Sequence, residues 1–201
     1  ISYFERKLPT MKKYHAIVST AMIALVFASC TEPKTSESSE SEVAAETKEA
    51  AEESESRPSP LMVKEGKIAG KTVKVQYGSP AVKDRELWGD LVPYNVVWRT
   101  GANEASYVEL AEDMMIEGEK LSAGKYSLFT IPKETGSWTV IFNSDWDLEH
   151  GHFQYDEKND VLRVEVAPVW EASSQESLSM EIENPGIVIR WEKLKLPISI
   201  N

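Results

Sequence analysis

From about Leu61 onward, apolar and polar side chains alternate with a period of two, and no stretch repeats convincingly at 3.6 residues. Successive side chains of a strand point to opposite faces, so this pattern is the signature of half-buried β-strands. Val73, Val75 and Tyr77 alternate with Lys74 and Gln76. Shorter candidates run from Tyr107 to Ala111 and from Met114 to Ile116, followed by a hairpin turn at Glu117-Gly118-Glu119. Tyr126 to Ile131 is apolar on both faces, opened by Gly124 and closed by Pro132. Trp138 to Phe142 follows a turn at Gly136, which predicts a central hairpin. Leu162, Val164 and Val166 share one face of a further strand, and Leu178, Met180 and Ile182 share one face of the next. Asn184-Pro185-Gly186 turns the chain into Ile187 to Trp191, and a last strand alternates Leu194, Leu196, Ile198 and Ile200. Roughly eight or nine strands with frequent turn signals predict an all-β domain over residues 61–201, an antiparallel β-sandwich of jelly-roll-like type. Asp84 to Trp88 is the one place where a helical turn is expected.

The charge narrows the partners. The chain of 201 residues carries 33 acidic and 22 basic side chains, a net of −11. Nucleic acid needs a basic footprint and is not an expected partner. Anionic lipid head groups would repel such a chain, so a membrane attachment has to be covalent or hydrophobic. Residues 31–60 hold nine glutamates and three prolines, with Val43 as the only bulky apolar side chain. They cannot bury enough apolar surface to offset the entropy of ordering, and an acidic, disordered linker is expected there.

Cys30 is the only cysteine, so no disulfide forms within the chain and no thiol is left for chemistry in the domain. Ahead of it stand Met11-Lys12-Lys13 and an apolar stretch from Ala16 to Ala28 broken only by Ser19 and Thr20. That stretch is shorter than the roughly 20 residues a bilayer requires, and it suits a secretory signal. Its end, Phe27-Ala28-Ser29-Cys30, resembles the lipobox cleaved before a lipidated cysteine, with Phe27 where leucine is usual. The expected organisation is an upstream extension at 1–10, a lipoprotein signal peptide at 11–29, and lipidated Cys30 leading a linker to residue 60. The domain follows at 61–201. Such a chain is secreted and lipid-anchored to the bacterial cell envelope, at the outer membrane.

Several motifs stand out along the domain. They are Arg85, Leu87-Trp88-Gly89, Leu91-Val92-Pro93-Tyr94, Trp98-Arg99-Thr100-Gly101-Ala102-Asn103-Glu104-Ala105, and Ala123-Gly124 with Tyr126 to Pro132. Trp138 to Asn143, and Tyr155-Asp156 through Val161-Leu162-Arg163-Val164, complete the set. Over about residues 70–200 the chain resembles the DUF2911 family, secreted or lipid-anchored proteins mainly from Bacteroidetes whose activity is unassigned. The resemblance implies a domain identity and no catalytic residues.

The polar block Arg99, Thr100, Asn103 and Glu104 is the first candidate site. A guanidinium, an amide and a carboxylate on one loop suit a small polar ligand such as a sugar or a carboxylate. The same residues also suit a structural corner, with Arg99 paired to Glu104 or Asp90 and Asn103 bonded to loop backbone. Asp145, Asp147, Glu149, His150, His152 and Asp156 form a second cluster, with Asp145, Asp147, His150 and His152 as metal candidates. The cluster lacks the EF-hand spacing, and His-Gly-His supplies fewer histidines than a catalytic zinc site uses. No metal or other cofactor is therefore expected. Among six tryptophans, Trp138 and Trp191 read as core, whereas Trp88, Trp146 and Trp170 lie near turns and could present ring faces to sugars. The chain has no nucleophile elbow, no H-E-x-x-H and no dinucleotide fingerprint. Gly118 to Lys125 departs from a P-loop in glycine spacing and in having Tyr126 where Ser or Thr is required. The expected role is a non-catalytic envelope module that binds a glycan, a peptide or a partner protein. The alternative is a metal-dependent or other hydrolase of the envelope.

Overall fold

The computed structural model of the chain describes residues 57–201. The upstream extension, the signal peptide, Cys30 and the linker through residue 56 lie outside the described residues. The described residues form ten strands: β1 (Leu61–Ile68), β2 (Lys71–Gly78), β3 (Tyr107–Leu110), β4 (Met114–Ile116), β5 (Glu119–Leu121), β6 (Gly124–Ile131), β7 (Trp138–Asn143), β8 (Asp160–Val166), β9 (Val169–Glu183) and β10 (Gly186–Ser199). Single turns of 3-10 helix at Gly151–Gln154 and Glu157–Asn159 are the helical content among these residues.

Six strands make one antiparallel sheet in the order β1-β2-β3-β6-β7-β8, so consecutive strands pair as a meander and the crossings of a jelly roll are absent from it. The short β4–β5 hairpin is inserted between β3 and β6. Its two turn residues, Glu117 and Gly118, have φ of 50° and 89°, the left-handed pair that matches the twist of adjoining strands. The long β9–β10 ribbon forms the second layer. Val73, Val75, Leu128, Val140 and Phe142 of the sheet join Leu178, Met180, Ile187, Ile189, Leu196 and Ile198 of the ribbon in one buried cluster. The molecule is thus an antiparallel sandwich with unequal layers.

The opposite face of the sheet is also covered. Phe129 and Ile141 project there and pack against Ala105 and Leu148 from loops, with Val97, Ile131 and Tyr155 at the margin. Cover on both sides explains why β6 is apolar on both faces. It also positions the two loops, 93–106 and 144–159, that build the candidate site.

Two expectations are corrected. Asp84 to Trp88 is a run of turns without a helix. Lys83 and Asp84 have φ of 50° and 55°, left-handed conformations from which a right-handed helix does not start. The stretches expected as two strands, 187–191 and 194–200, belong largely to the single strand β10. Glu192, at φ 54°, interrupts the register between Arg190 and Leu194. The bulge switches the inward positions from odd to even, so Ile187, Ile189 and Trp191 are buried, and so are Leu194, Leu196 and Ile198. Residues just ahead of β1 also touch the strands and their loops. Arg57 pairs with Glu104 at 3.1 Å, and the Ser79 amide donates to the Pro60 carbonyl at 2.8 Å.

Candidate functional site

The segment from Trp98 to Ser106 is stitched to β6. Trp98 and Thr130 exchange backbone bonds of 2.8 and 2.9 Å, and the Leu128 amide donates to the Ser106 carbonyl at 2.7 Å. The loop also closes on itself: the Trp98 indole donates to the Gly101 carbonyl at 3.2 Å, and the Ser106 hydroxyl donates to the Thr100 carbonyl at 2.9 Å. Thr100 is fully buried at φ 53°, its hydroxyl 3.2 Å from that of Thr130. A Cβ at Gly78 would overlap the Ala102 carbonyl, so the absence of a side chain there is what lets the loop lie against β2.

The four polar residues of this block go to three different places. Arg99 and Asn103 line a cavity of about 300 Å³. Glu104 lines a separate cleft of about 220 Å³ with Gln76, Tyr107, Trp146, Asp147 and Glu149. Thr100 is buried structure and lines neither. Arg99 pairs with neither Glu104 nor Asp90. Its Nη1 donates to the Asn103 carbonyl, and its guanidinium lies 5.5 Å from the centre of the Phe153 ring. The Asn103 amide donates to the Ser59 carbonyl at 3.4 Å, a weak bond. Burial holds the Arg99 guanidinium below its ordinary pKa, and the nearby Glu104 charge only partly opposes this.

The wall of the 300 Å³ cavity combines Arg85, Arg99, Asn103, His152 and Ser59 with Pro80, Leu91, Val92, Trp98 and Trp191, and contains no carboxylate. Arg85 is fixed by two backbone carbonyls: its Nε donates to Val82 at 3.0 Å and its Nη2 to Ala81 at 2.6 Å. Trp98 and Trp191 are stacked, with centroids 5.8 Å apart. Two wall residues carry polar atoms that are shut off from solvent without a hydrogen-bond partner, His152 Nδ1 and Trp191 Nε1. Burial, and then the Arg99 charge, hold His152 below its ordinary pKa, which makes it a neutral ring at pH 7.

His152 reaches this wall on the loop after β7. Asn143, fully buried, donates to the Asp156 carbonyl at 2.9 Å and to Asp160 Oδ1 at 2.8 Å, which ties both ends of the loop together. Leu148 and Tyr155 pin it to the sheet. The Tyr155 hydroxyl donates to Asp160 Oδ2 at 2.7 Å, and its pKa is pushed up to about 12 by burial and by Asp160. Tyr155 therefore stays un-ionised near neutral pH. Gly151, at φ 55°, lies beneath Arg99: a Cβ there would come within 2.7 Å of Arg99 Cδ.

The second sequence cluster does not assemble. Among the described residues, no group of three or more His, Cys, Asp or Glu is placed to hold a metal ion. Asp145, Asp147 and His150 are exposed, and His152 belongs to the arginine cavity. Of the three tryptophans expected near the surface, Trp88 is half-buried, edge-to-face with Trp98, Trp138, Trp170 and Trp191. Trp146 and Trp170 are 37% and 47% exposed, and the ring of Trp146 is covered by Lys125 Nζ at 3.5 Å. Sequence reasoning missed Arg85, Pro80 and Leu91 as cavity residues and assigned His152 to another site. Arg85 and Leu91 did stand among the motif residues, but nothing linear joins them to Arg99.

A family model described as a protein of unknown function (DUF2911) matches residues 59–200. No curated protein and no solved structure matches.

Proposed function

Because the chain belongs to the DUF2911 family, whose description assigns no activity, its role must be argued from its own residues, and we propose that it is a non-catalytic ligand-binding module of the cell envelope. The observation that carries this reading is the cavity walled by Arg85, Arg99, Asn103 and His152. It combines convergent polar groups with an apolar lining, at the small end of the size range of ligand pockets. The absence of carboxylates from the wall argues against hydrolysis there. His152 is the one wall side chain that can exchange a proton near neutral pH, and a general base needs a partner to orient it. Its Nδ1 has none.

The envelope half of the proposal rests on the sequence: a short apolar stretch ending in Ala28-Ser29-Cys30. Lipidation at Cys30 would hold the domain at the outer membrane, with residues 31–60 as tether. Radiolabelled palmitate should enter the wild type and not Cys30→Ala, and equal labelling of both would contradict the anchor.

Ligand binding is tested by native mass spectrometry of protein purified from envelope membranes without denaturation. A small molecule of defined mass should accompany the wild type and be lost from Ala102→Trp, which puts a large side chain at a residue lining the cavity. Identical spectra from the two proteins would overturn the cavity as the binding site.

A further inference from the structure

Five arginines lie among the described residues, and their partners divide them. Arg57 pairs with Glu104, Arg163 with Glu157 and Asp160, and Arg190 with Glu183. Arg85 and Arg99 make no salt bridge, and both line the same cavity. In a chain with 33 carboxylates against 22 basic groups, two unpaired guanidiniums on one carboxylate-free wall are a local reversal of charge. Both are held in place by backbone carbonyls, so their forks are preset before any ligand arrives. Arg99 is partly desolvated, and a counter-charge in the cavity would relieve that cost.

Resting on the ligand-binding reading above, we propose that the cavity takes a small organic carboxylate, its anionic end between Arg85 and Arg99 and its apolar end against the wall. The guanidinium fork matches the two oxygens of a carboxylate. The remainder of the wall (Pro80, Leu91, Val92, Trp98 and Trp191) offers nothing to a second charged group and suits an aryl or alkyl body. Phe153 extends this surface. Its ring is 78% exposed and adjoins both Arg99 and His152, with ring centroids 4.2 Å apart in the latter pair. A free inorganic anion would use the two arginines and leave the apolar wall wet. An uncharged sugar would leave the arginines unmet.

The test titrates the purified protein with benzoate, benzamide and inorganic phosphate, following the indole N–H signals of Trp98 and Trp191 by NMR. Benzoate should give a saturable shift, with benzamide and phosphate each at least about tenfold weaker, as expected for loss of a charge-assisted hydrogen bond or of the apolar contact. Arg85→Gln and Arg99→Gln should each weaken benzoate by a similar factor, and Arg99→Lys should recover part of the loss. Because Arg99→Lys keeps charge and stem, it separates a binding defect from a folding defect. Benzamide binding as tightly as benzoate would overturn anion recognition and leave the ligand site standing. Phosphate binding as tightly would overturn the apolar half. If no probe moves the signals, the carboxylate proposal falls alone where a ligand is still carried in the native mass spectrum, and with the ligand reading where none is.

Discussion

Within the block from Trp98 to Glu104, neighbouring residues do unlike work. Thr100 is buried against Thr130, Arg99 faces a cavity, and Glu104 closes a contact to Arg57. The composition of the block is visible in sequence, but this division is not, because it depends on left-handed φ values at Thr100 and Asn103 that redirect the chain between one side chain and the next. The loop after β7 follows the same logic. Asn143 is fully buried, and its amide satisfies Asp156 and Asp160 together. Asn143→Ala should cost about 2–3 kcal/mol, because both acceptors are left unmet in a buried site. Urea unfolding measures this, and a loss under about 0.5 kcal/mol would show that the loop is held by other means.

His152 gives a residue-scale pH dependence. Its folded-state pKa is depressed below the ordinary 6.5, by burial first and Arg99 second. As pH falls, the unfolded chain takes up that proton before the folded one. The contribution of neutral His152 is therefore complete above about 6.5 and is lost as pH falls below it toward the lower folded-state value. His152→Gln should flatten the loss of melting temperature between about pH 7 and pH 5. Parallel melting curves for the two proteins would contradict it.

At the scale of elements, the strands that read clearly in the sequence are those with one wet and one dry face. β2 places Val73, Val75 and Tyr77 inward, and β8 places Val164 and Val166 inward. β1 does not read as a strand in the sequence, because its outward positions are Val63, Glu65 and Lys67 and its inner ones are filled by Gly66 and half-buried Met62. The first half of β9 was also missed: Ala172 to Ser174 and Glu176 are exposed and carry no alternation to read. The two halves of β10 were each visible, and what hid their continuity was one residue, Glu192. Deleting it would turn either Ile187, Ile189 and Trp191 or Leu194, Leu196 and Ile198 to the wrong face. The deletion should abolish cooperative unfolding, a loss above about 4 kcal/mol. Glu192→Gly, which suits φ 54°, should melt within about 1 kcal/mol of wild type or higher. A deletion variant that still unfolds cooperatively would refute the bulge as the device that sets register.

For the molecule as a whole, the organising fact is that a net-acidic domain gathers its two unpaired arginines on one cavity. Both lie on the connection between β2 and β3, and His152 comes from the loop after β7, so the site exists only once the sandwich has formed. Residue types alone suggested that the Arg99 block binds a polar ligand, but the partners that complete the site are separated in sequence, and no periodicity connects them. Arg57, ahead of β1, closes on Glu104. Arg57→Ala should therefore loosen the Glu104 cleft while leaving benzoate binding at Arg99 unchanged, because the two residues line separate cavities. A parallel loss of benzoate affinity would show that the cavities are coupled.

The most direct test of the account is thermal unfolding of the wild type and Arg99→Gln, each with and without benzoate. Arg99 is positioned by one backbone carbonyl, carries no ion pair and is disfavoured as a charge by burial. Its removal should change stability by no more than about 1 kcal/mol, with a shift toward higher melting in keeping with the account. Benzoate should raise the melting temperature of the wild type and leave that of Arg99→Gln where it was. A collapse of Arg99→Gln by about 3 kcal/mol or more would mark Arg99 as architecture, and an equal benzoate shift in both proteins would mark the cavity as the wrong site.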